Sequence, residues 1–394
     1  MHKDTNLKMI LINYLLTWLK EKIILNKLIS FITFFFYNIL KMFNSKGIDQ
    51  KTYNDNNYFL NEYSKFPSSL NIFSKNIINP NYDLMIIIPT YNNAHFIKKC
   101  LMSIFNQKTK YTYSVHVIDD GSTDNTIEII KEFQSCNQNL FLYSQSNSGA
   151  ACARNKALKK IDGKHICFID SDDVIYQGFI EVMLNIAFNK NSDLVECNYL
   201  YSKNIDTYQN ENKYEAINVR KVDAVSDCKG FPWMKIYNSS LFKNLCFPEN
   251  VLYEDTMISI ILFYYVKNAI KIDNVLYGYR DNSDGITYRS RNMNKSAQSF
   301  LLTNYLWNEK SNLNLDTNFS IYQFFEQLIM DMGRVRKLPQ KIKRLIFCQM
   351  CFVYMQYYHS SSVNFNKKYK YLAYSLKNNN FLLFYFLSYV WNRI

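Results

Sequence analysis

Apolar and polar positions divide the chain into four zones. Residues 1–48 are apolar and basic, 49–82 are rich in Asn, Ser and Tyr, 83–290 alternate between strand-like and helix-like patterns, and 291–394 read as helical and basic. Within the third zone, Leu84–Ile88 is an unbroken apolar run closed by Pro89, the pattern of a strand buried on both faces. Phe96, Ile97, Cys100, Leu101 and Ile104 then share one face of a helix. Ser114–Ile118 predicts a second strand, and Asp124 a cap for a helix over 125–134. Leu140–Tyr143, a helix over Ala150–Lys160, a strand over His165–Ile169 and helices over 177–188 and 256–266 continue the alternation. Strands and helices joined by short loops predict an α/β domain with a mostly parallel, twisted sheet flanked by helices. There is no internal repeat.

Ligands of such sheets bind beyond the carboxyl ends of the strands. The polar clusters fall at those ends: Thr90–Asn92, Asp119–Asp124 and Asp170–Asp173. In Asp170-Ser171-Asp172-Asp173 three carboxylates crowd together and would raise one another's pKa. A hard divalent cation, Mn²⁺ or Mg²⁺, resolves that repulsion through oxygen ligands; an acidic cap on the helix over 177–188 is the alternative. At Asp119 and Asp120 a carboxylate can accept from a nucleobase N–H or a ribose hydroxyl, and Gly121 permits a tight turn; an ordinary turn before a capped helix fits as well. Tyr91, just after Pro89, is placed either to stack on a base or simply to be exposed. Arg154 suits phosphate oxygens or a surface ion pair. Asp255, after Glu254 and ahead of an apolar helix, is kept ionised by the helix dipole, which suits a general base and a cap alike.

Together these segments resemble the family 2 glycosyltransferases, which have the GT-A fold. The matches are I-P-T-Y-N at 88–92, V-I-D-D-G-S-T-D at 117–124, N-S-G-A-A-C-A-R-N at 147–155 and F-I-D-S-D-D at 168–173. They continue with K-I-Y-N-S-S-L-F at 235–242, F-P at 247–248, Y-E-D at 253–255, L-Y-G-Y-R at 276–280 and I-T at 286–287. Order and spacing agree over about half the chain, and the subgroup resembled builds bacterial capsule, lipopolysaccharide or exopolysaccharide. The resemblance implies a nucleotide-sugar half over 83–175 and an acceptor half over 176–290, flanked by extensions at 1–82 and 291–394. It implies that Pro89, Tyr91 and one of Asp119 or Asp120 hold the nucleobase of a donor such as a UDP-sugar, with Arg154 near its diphosphate. Asp170 and Asp172 match the family's D-x-D, Asp172 as the direct metal ligand and Asp170 nearer the ribose, and Asp255 matches the catalytic base. The implied reaction is metal-dependent transfer, with inversion, to a saccharide or lipid-linked acceptor. Asn238–Ser240 depart from the basic residues usual there, and no Gly follows F-P; both differences fall on the acceptor side. The rival readings are a sugar nucleotidyltransferase, against which the absence of a Gly-rich loop after the first strand counts, and an inactive scaffold in polysaccharide assembly.

Charge adds a location. The net charge is +13, yet no Asp or Glu occurs from Met332 to Ile394, where Lys and Arg alternate with Phe, Tyr, Leu and Trp. Aromatic and apolar residues flanked by cations, as in Phe381–Leu387 with Tyr389, Trp391 and Arg393, describe an interfacial helix on an anionic membrane. No nucleic-acid motif is present, so nucleic-acid binding is a poor second to the membrane and no such partner is expected. The longest clean apolar run near the start, Leu28–Leu40, is shorter than the roughly 20 residues of a spanning helix, and no secretory signal stands before it. The nine cysteines are odd in number and scattered, and Cys348-x-x-Cys351 has no second pair. A cytoplasmic protein peripheral to the inner face of the plasma membrane is the expectation.

Overall fold

The computed structural model describes residues 33–391 apart from 43, 206–216, 283–284, 286–287, 289, 291–292, 316–319 and 359–364. The I-T match at 286–287, the start of the Leu28–Leu40 run and Arg393 thus lie outside the described residues. The chain forms two compact units, one spanning Asn61–Gln323 and the other combining the residues up to Leu60 with those from Phe324 onward.

The larger unit is built on a nine-stranded sheet. Its strands are β1 (Ile77–Thr90), β2 (Tyr113–Asp119), β3 (Leu140–Ser144), β4 (Lys160–Phe168), β5 (Val174–Ile175), β6 (Leu194–Ser202), β7 (Val219–Val222), β8 (Lys235–Asn238) and β9 (Ala269–Arg280). They run in the order β3-β2-β1-β4-β8-β6-β9-β5, with β7 also on β9. Strands β1 to β4 are parallel, β8 is antiparallel to β4 and β6, and β6 is parallel to β9. Leu84–Ile88 are fully buried at the centre of the parallel half, as a strand covered on both faces must be. Ile97, Cys100, Leu101 and Ile104 form the buried face of the helix Ala94–Phe105. The carboxyl ends of β1, β2 and β4 therefore lie side by side, in the register Thr90↔Asp119 and Ile87↔Phe168.

Several boundaries moved. The helix expected over Ala150–Lys160 ends at Leu158, because Lys160 already begins β4. The apolar stretch 256–266 divides into a helix Thr256–Ile260 and a 3-10 turn Leu262–Tyr265. Asn125 holds the N-cap position of the helix Thr126–Cys136 without a side-chain cap bond, and the carboxylate at its start is that of Asp124, as expected. Asp124 ties two helix starts together, accepting from Thr126 N and Ala94 N at 3.1 Å each. Among the described residues, 61–76 and 293–315 fall in the same unit as the sheet. Asn76 Nδ2 donates to Phe242 O and Leu245 O at 2.6 and 3.0 Å, Tyr305 donates to Leu70 O, and Gln298 to Ser64 O.

In the other unit, the helix Phe381–Trp391 is not a free interfacial segment. Phe381, Leu383, Phe384 and Leu387 are buried, and Phe384 and Phe381 pack on Phe347 at 5.2 and 5.6 Å between ring centres. A helix apolar on every side gains by burying one face against a neighbour, and Gln340–Tyr358 supplies it. A helix at 33–40 joins the same unit through Phe36 on Phe386, Tyr37 stacked on Tyr371, and Asn380 Nδ2 donating to Leu40 O. No helix among the described residues is long and apolar enough to cross a membrane.

The mixed half of the sheet, β6, β8 and β9, carries a buried ion cluster. Glu196 on β6 meets Lys235 of β8 at 3.0 Å and Lys271 of β9 at 2.9 Å, and Glu196 and Lys235 are wholly inaccessible. Lys235 also donates to Phe231 O at 2.9 Å. Buried charges cost several kcal/mol of desolvation and persist only when fully partnered. Lys235→Met should therefore lower stability by about 3 kcal/mol or more, read as a lower urea midpoint at unchanged slope. A midpoint within error of the parent would show that the cluster is not a stabilising tie.

Candidate active site

Three strand ends build the site, and hydrogen bonds between their loops hold it in shape. After β1, Asn92 takes a left-handed φ of 47°. Its N–H donates to Ser122 Oγ and its side chain accepts from Thr123 N at 2.7 Å, which fastens this loop to the one after β2. Asn93 Nδ2 donates to Ser171 Oγ at 2.7 Å, fastening it to the loop after β4. Gly121 has φ 82°, and a Cβ there would press on Asn147 N and Gln145 O, so a side chain in this turn would be both strained and crowded.

The sequence candidates occupy different depths. Pro89 lies within β1, opposite Ile118 of β2. Tyr91 is half exposed, at 48%. Asp119 is buried and folds back on its own turn, accepting from Gly121 N at 3.2 Å and Ser122 N at 3.1 Å. Asp120 is buried too, accepting from Gln145 Nε2, Ser148 N and Gly149 N at 2.8, 2.8 and 2.7 Å. Both carboxylates thus shape the loops beneath the strand ends.

The three carboxylates after β4 are handled separately. Asp173 points inward, accepting from Tyr277 Oη at 2.7 Å and Arg280 N at 2.8 Å. Burial, then the charges of Asp172 and Asp170, push its carboxyl well above the usual range, against the pull of those two donors. Asp172 Oδ2 accepts from Asn282 Nδ2 at 2.9 Å, and Arg280 Nε donates to the Asp172 carbonyl at 2.7 Å. Asp170 Oδ1 accepts from Arg154 Nη2 at 3.1 Å. Burial raises the Asp170 carboxyl, Arg154 opposes, and Asp172 adds to the rise. None of the three caps the helix Phe179–Lys190, whose N-cap is Gly178 at φ 84°.

A cation fits here in one specific form. Among the described residues no group of three or more His, Cys, Asp or Glu side chains is gathered as a metal cluster. Asp170 Oδ1 and Asp172 Oδ2 are committed to Arg154 and Asn282, leaving one oxygen of each carboxylate beside like charge. Two carboxylates with the remaining positions left to phosphate and water match what Mg²⁺ or Mn²⁺ requires.

Asp255 precedes the helix Thr256–Ile260 but makes no side-chain cap bond to it. The turn before it is strained: Asn250 and the non-glycine Tyr253 both have left-handed φ, 62° and 67°. Leu252 N donates to Gln298 Oε1, and Arg154 Nη1 to Glu254 Oε1 at 2.6 Å. Asn155, next along, donates to Phe247 O and accepts from Phe247 N, each at 2.8 Å. Sequence reasoning had not assigned roles to Asn155, Glu254, Tyr277, Arg280 and Asn282. All but Asn282 sit inside the quoted motifs R-N, Y-E-D and L-Y-G-Y-R; Asn282 follows two residues after the last and had no signal of its own.

Residues 85–251 match the Glycosyl transferase family 2 profile. The chain is 25% identical to the uncharacterized glycosyltransferase YibD of Escherichia coli over 294 residues, covering 68% of this chain and 83% of YibD. It is 29% identical to the putative glycosyltransferase EpsH of Bacillus subtilis, covering 58% and 69%. Glycosyltransferase GlyA of Streptococcus pneumoniae is 30% identical over 213 residues, 50% of this chain but 30% of GlyA, so this chain spans under a third of that relative's length. The structure of S. aureus TarS 1–349 in complex with UDP-GlcNAc superposes with a TM-score of 0.60 at 19% identity, over 79% of this chain and 92% of that one, a likeness of fold. With Asp170 at the end of β4 and Glu254 brought to the same buried arginine, these matches lead to one conclusion: residues 85–251 form a domain of the Glycosyl transferase family 2 type, on a GT-A fold.

Proposed function

We propose that the chain is an inverting, metal-dependent glycosyltransferase that moves a sugar from a nucleoside-diphosphate donor, a UDP-sugar by first choice, to a saccharide or lipid-linked acceptor in bacterial surface-polysaccharide synthesis. The observation that carries this reading is the single guanidinium, Arg154, bonded at once to Asp170 of the D-x-D and to Glu254 beside Asp255. It supports the assignment of donor-side and base-side residues to one site.

In this mechanism Tyr91 stacks on the nucleobase at the mouth of the β1–β2 loops, which Asp119 and Asp120 shape from below. Asp170 and Asp172 would hold Mn²⁺ or Mg²⁺, which would supply positive charge toward the departing diphosphate. Asp255 accepts the proton of the acceptor hydroxyl as that oxygen forms its bond to the anomeric carbon. The bond from that carbon to the diphosphate oxygen breaks on the opposite face, and the electron pair leaves with the nucleoside diphosphate. One displacement inverts the centre, so an α-linked donor gives a β-glycoside.

The other unit supports a membrane location through a different surface from the one the tail sequence suggested. Phe34 and Phe35 are 55% and 52% exposed, with Ile39 and Met42 following on the same segment and Leu382 and Tyr389 exposed in the same unit. Tyr37 seats on Tyr371 and Tyr374, whose helix carries Lys367, Lys370 and Lys377 three or four positions away. An apolar edge with a cationic rim suits an anionic bilayer.

Three outcomes test this function. With purified protein and a panel of nucleotide-sugars, EDTA should abolish transfer and Mn²⁺ or Mg²⁺ restore it; full turnover in excess chelator removes the metal from the mechanism. Asp255→Asn should leave donor affinity nearly unchanged while turnover drops about a hundredfold or more, whereas near-normal turnover would assign the base elsewhere. The protein should sediment with phosphatidylglycerol vesicles and not with neutral ones. The part of that binding that survives 1 M salt, where screening shortens to about 3 Å, should fall about tenfold or more in a Phe34→Ser, Phe35→Ser double variant. Equal binding by parent and variant would refute the proposed surface.

A further inference from the structure

The position of Arg154 assigns it a task different from holding phosphate. Its side chain is only 6% exposed, and its two terminal nitrogens are directed at protein carboxylates: Nη1 to Glu254 at 2.6 Å and Nη2 to Asp170 at 3.1 Å. Its guanidinium carbon lies 5.4 Å from the ring centre of Phe247. A ligand for a diphosphate must present N–H groups to an open cleft, whereas these are enclosed between two carboxylates and an aromatic ring. Asp170 is 29% exposed and Glu254 19% exposed, so each faces water more than the arginine between them.

The same helix makes a second tie. Asn155 exchanges two hydrogen bonds with the Phe247 backbone and donates to Glu249 Oε1 at 2.9 Å. The segment 247–255 is therefore gripped near its start by Asn155 and near its end by Arg154, both from Ala150–Leu158. Between the grips lie Asn250 and Tyr253, with φ of 62° and 67°. A tyrosine holds that conformation only when its surroundings over-determine it, and the salt bridge to Glu254, one residue on, is such a constraint.

We propose that Arg154 is a positioning residue: a strut between the end of β4 and the Glu254–Asp255 turn that fixes where the base stands relative to the donor-side carboxylates. The reading rests on the proposed glycosyl transfer. It departs from the family resemblance, which placed this arginine at the diphosphate. The arginine stays charged, since Asp170 and Glu254 more than offset the effect of burial and raise its already high pKa. Lysine cannot reproduce the strut, because a single ammonium lacks the planar fork that reaches two carboxylates in fixed directions.

Two variants of the full chain attack the strut from opposite ends. Arg154→Lys keeps a positive charge; Glu254→Gln leaves the arginine in place and removes its partner's charge. In both, hydrogen exchange at the amides of Thr256, Met257 and Ile258, which bond to Tyr253 O, Glu254 O and Asp255 O, should quicken about tenfold or more, with β1 and β2 unchanged. This readout needs neither donor nor metal. Turnover should fall about a hundredfold, the scale of a small misplacement of a reacting group, while the dissociation constants of UDP and UMP measured by calorimetry each stay within about threefold of the parent. A diphosphate ligand predicts the reverse: Arg154→Lys would weaken UDP selectively against UMP by tenfold or more, and Glu254→Gln would leave exchange and turnover near the parent's. Either result overturns the strut. If Asp255→Asn proves active, the base assignment fails, and the exchange measurement still decides whether Arg154 holds the turn.

Discussion

Gathering like charge at one strand end is the constraint around which this domain is arranged. Asp170, Asp172 and Asp173 fall within five residues of the end of β4, and carboxylates so placed destabilise one another unless each is answered. The protein answers them one at a time. Asp173 is turned inward onto Tyr277 and the Arg280 amide, Asp172 takes Asn282, and Asp170 takes Arg154. Because removing one partner of a buried charge costs far more than the pair contributes, these contacts fix the neighbouring segments as firmly as they fix the carboxylates.

The consequence is a site whose two halves share their supports. The end of β9 reaches the donor side through Tyr277 and Arg280, and Gly278 between them lies so close to Tyr176 Oη and Val174 that a Cβ would collide with both. The Arg154-Asn155 pair reaches the other way, to the turn bearing Glu254 and Asp255 and to Phe247. Strain at Tyr253 is tolerated in that setting, since functional sites commonly store strain that their surroundings enforce. The buried Glu196–Lys235–Lys271 cluster performs the corresponding task for β6, β8 and β9, where mixed strand directions replace the regular parallel crossovers.

The unit made from the chain's two ends follows plainer rules. Its helices bury aromatic faces on one another, as Phe347 does with Phe381 and Phe384. Several cations lie on rings rather than on carboxylates: Arg336 over Tyr389, Lys343 over Tyr385 and Arg344 over Phe381. No acid occurs from Met332 onward, and a ring face attracts a cation where no carboxylate stands beside it; Lys343 also donates to Arg336 O at 3.3 Å.

The sequence by itself determined the strand–helix order, the parallel half of the sheet and the presence of polar loops at the ends of β1, β2 and β4, acidic after the last two. These are legible because apolar periodicity is local, and because right-handed crossovers place the ends of parallel strands on the same side. It also carried the family motifs, and with them the D-x-D and Asp255 as candidates. Tertiary structure alone decided which of the three carboxylates is buried, that Asp119 and Asp120 shape loops, and that Phe384 is core while Phe34 and Phe35 are exposed. It alone paired Arg154 with Glu254, one hundred positions away. Periodicity reports which face of an element is covered but not what covers it, and a salt bridge between distant residues leaves no pattern in either neighbourhood; only the folded chain brings the two charges together.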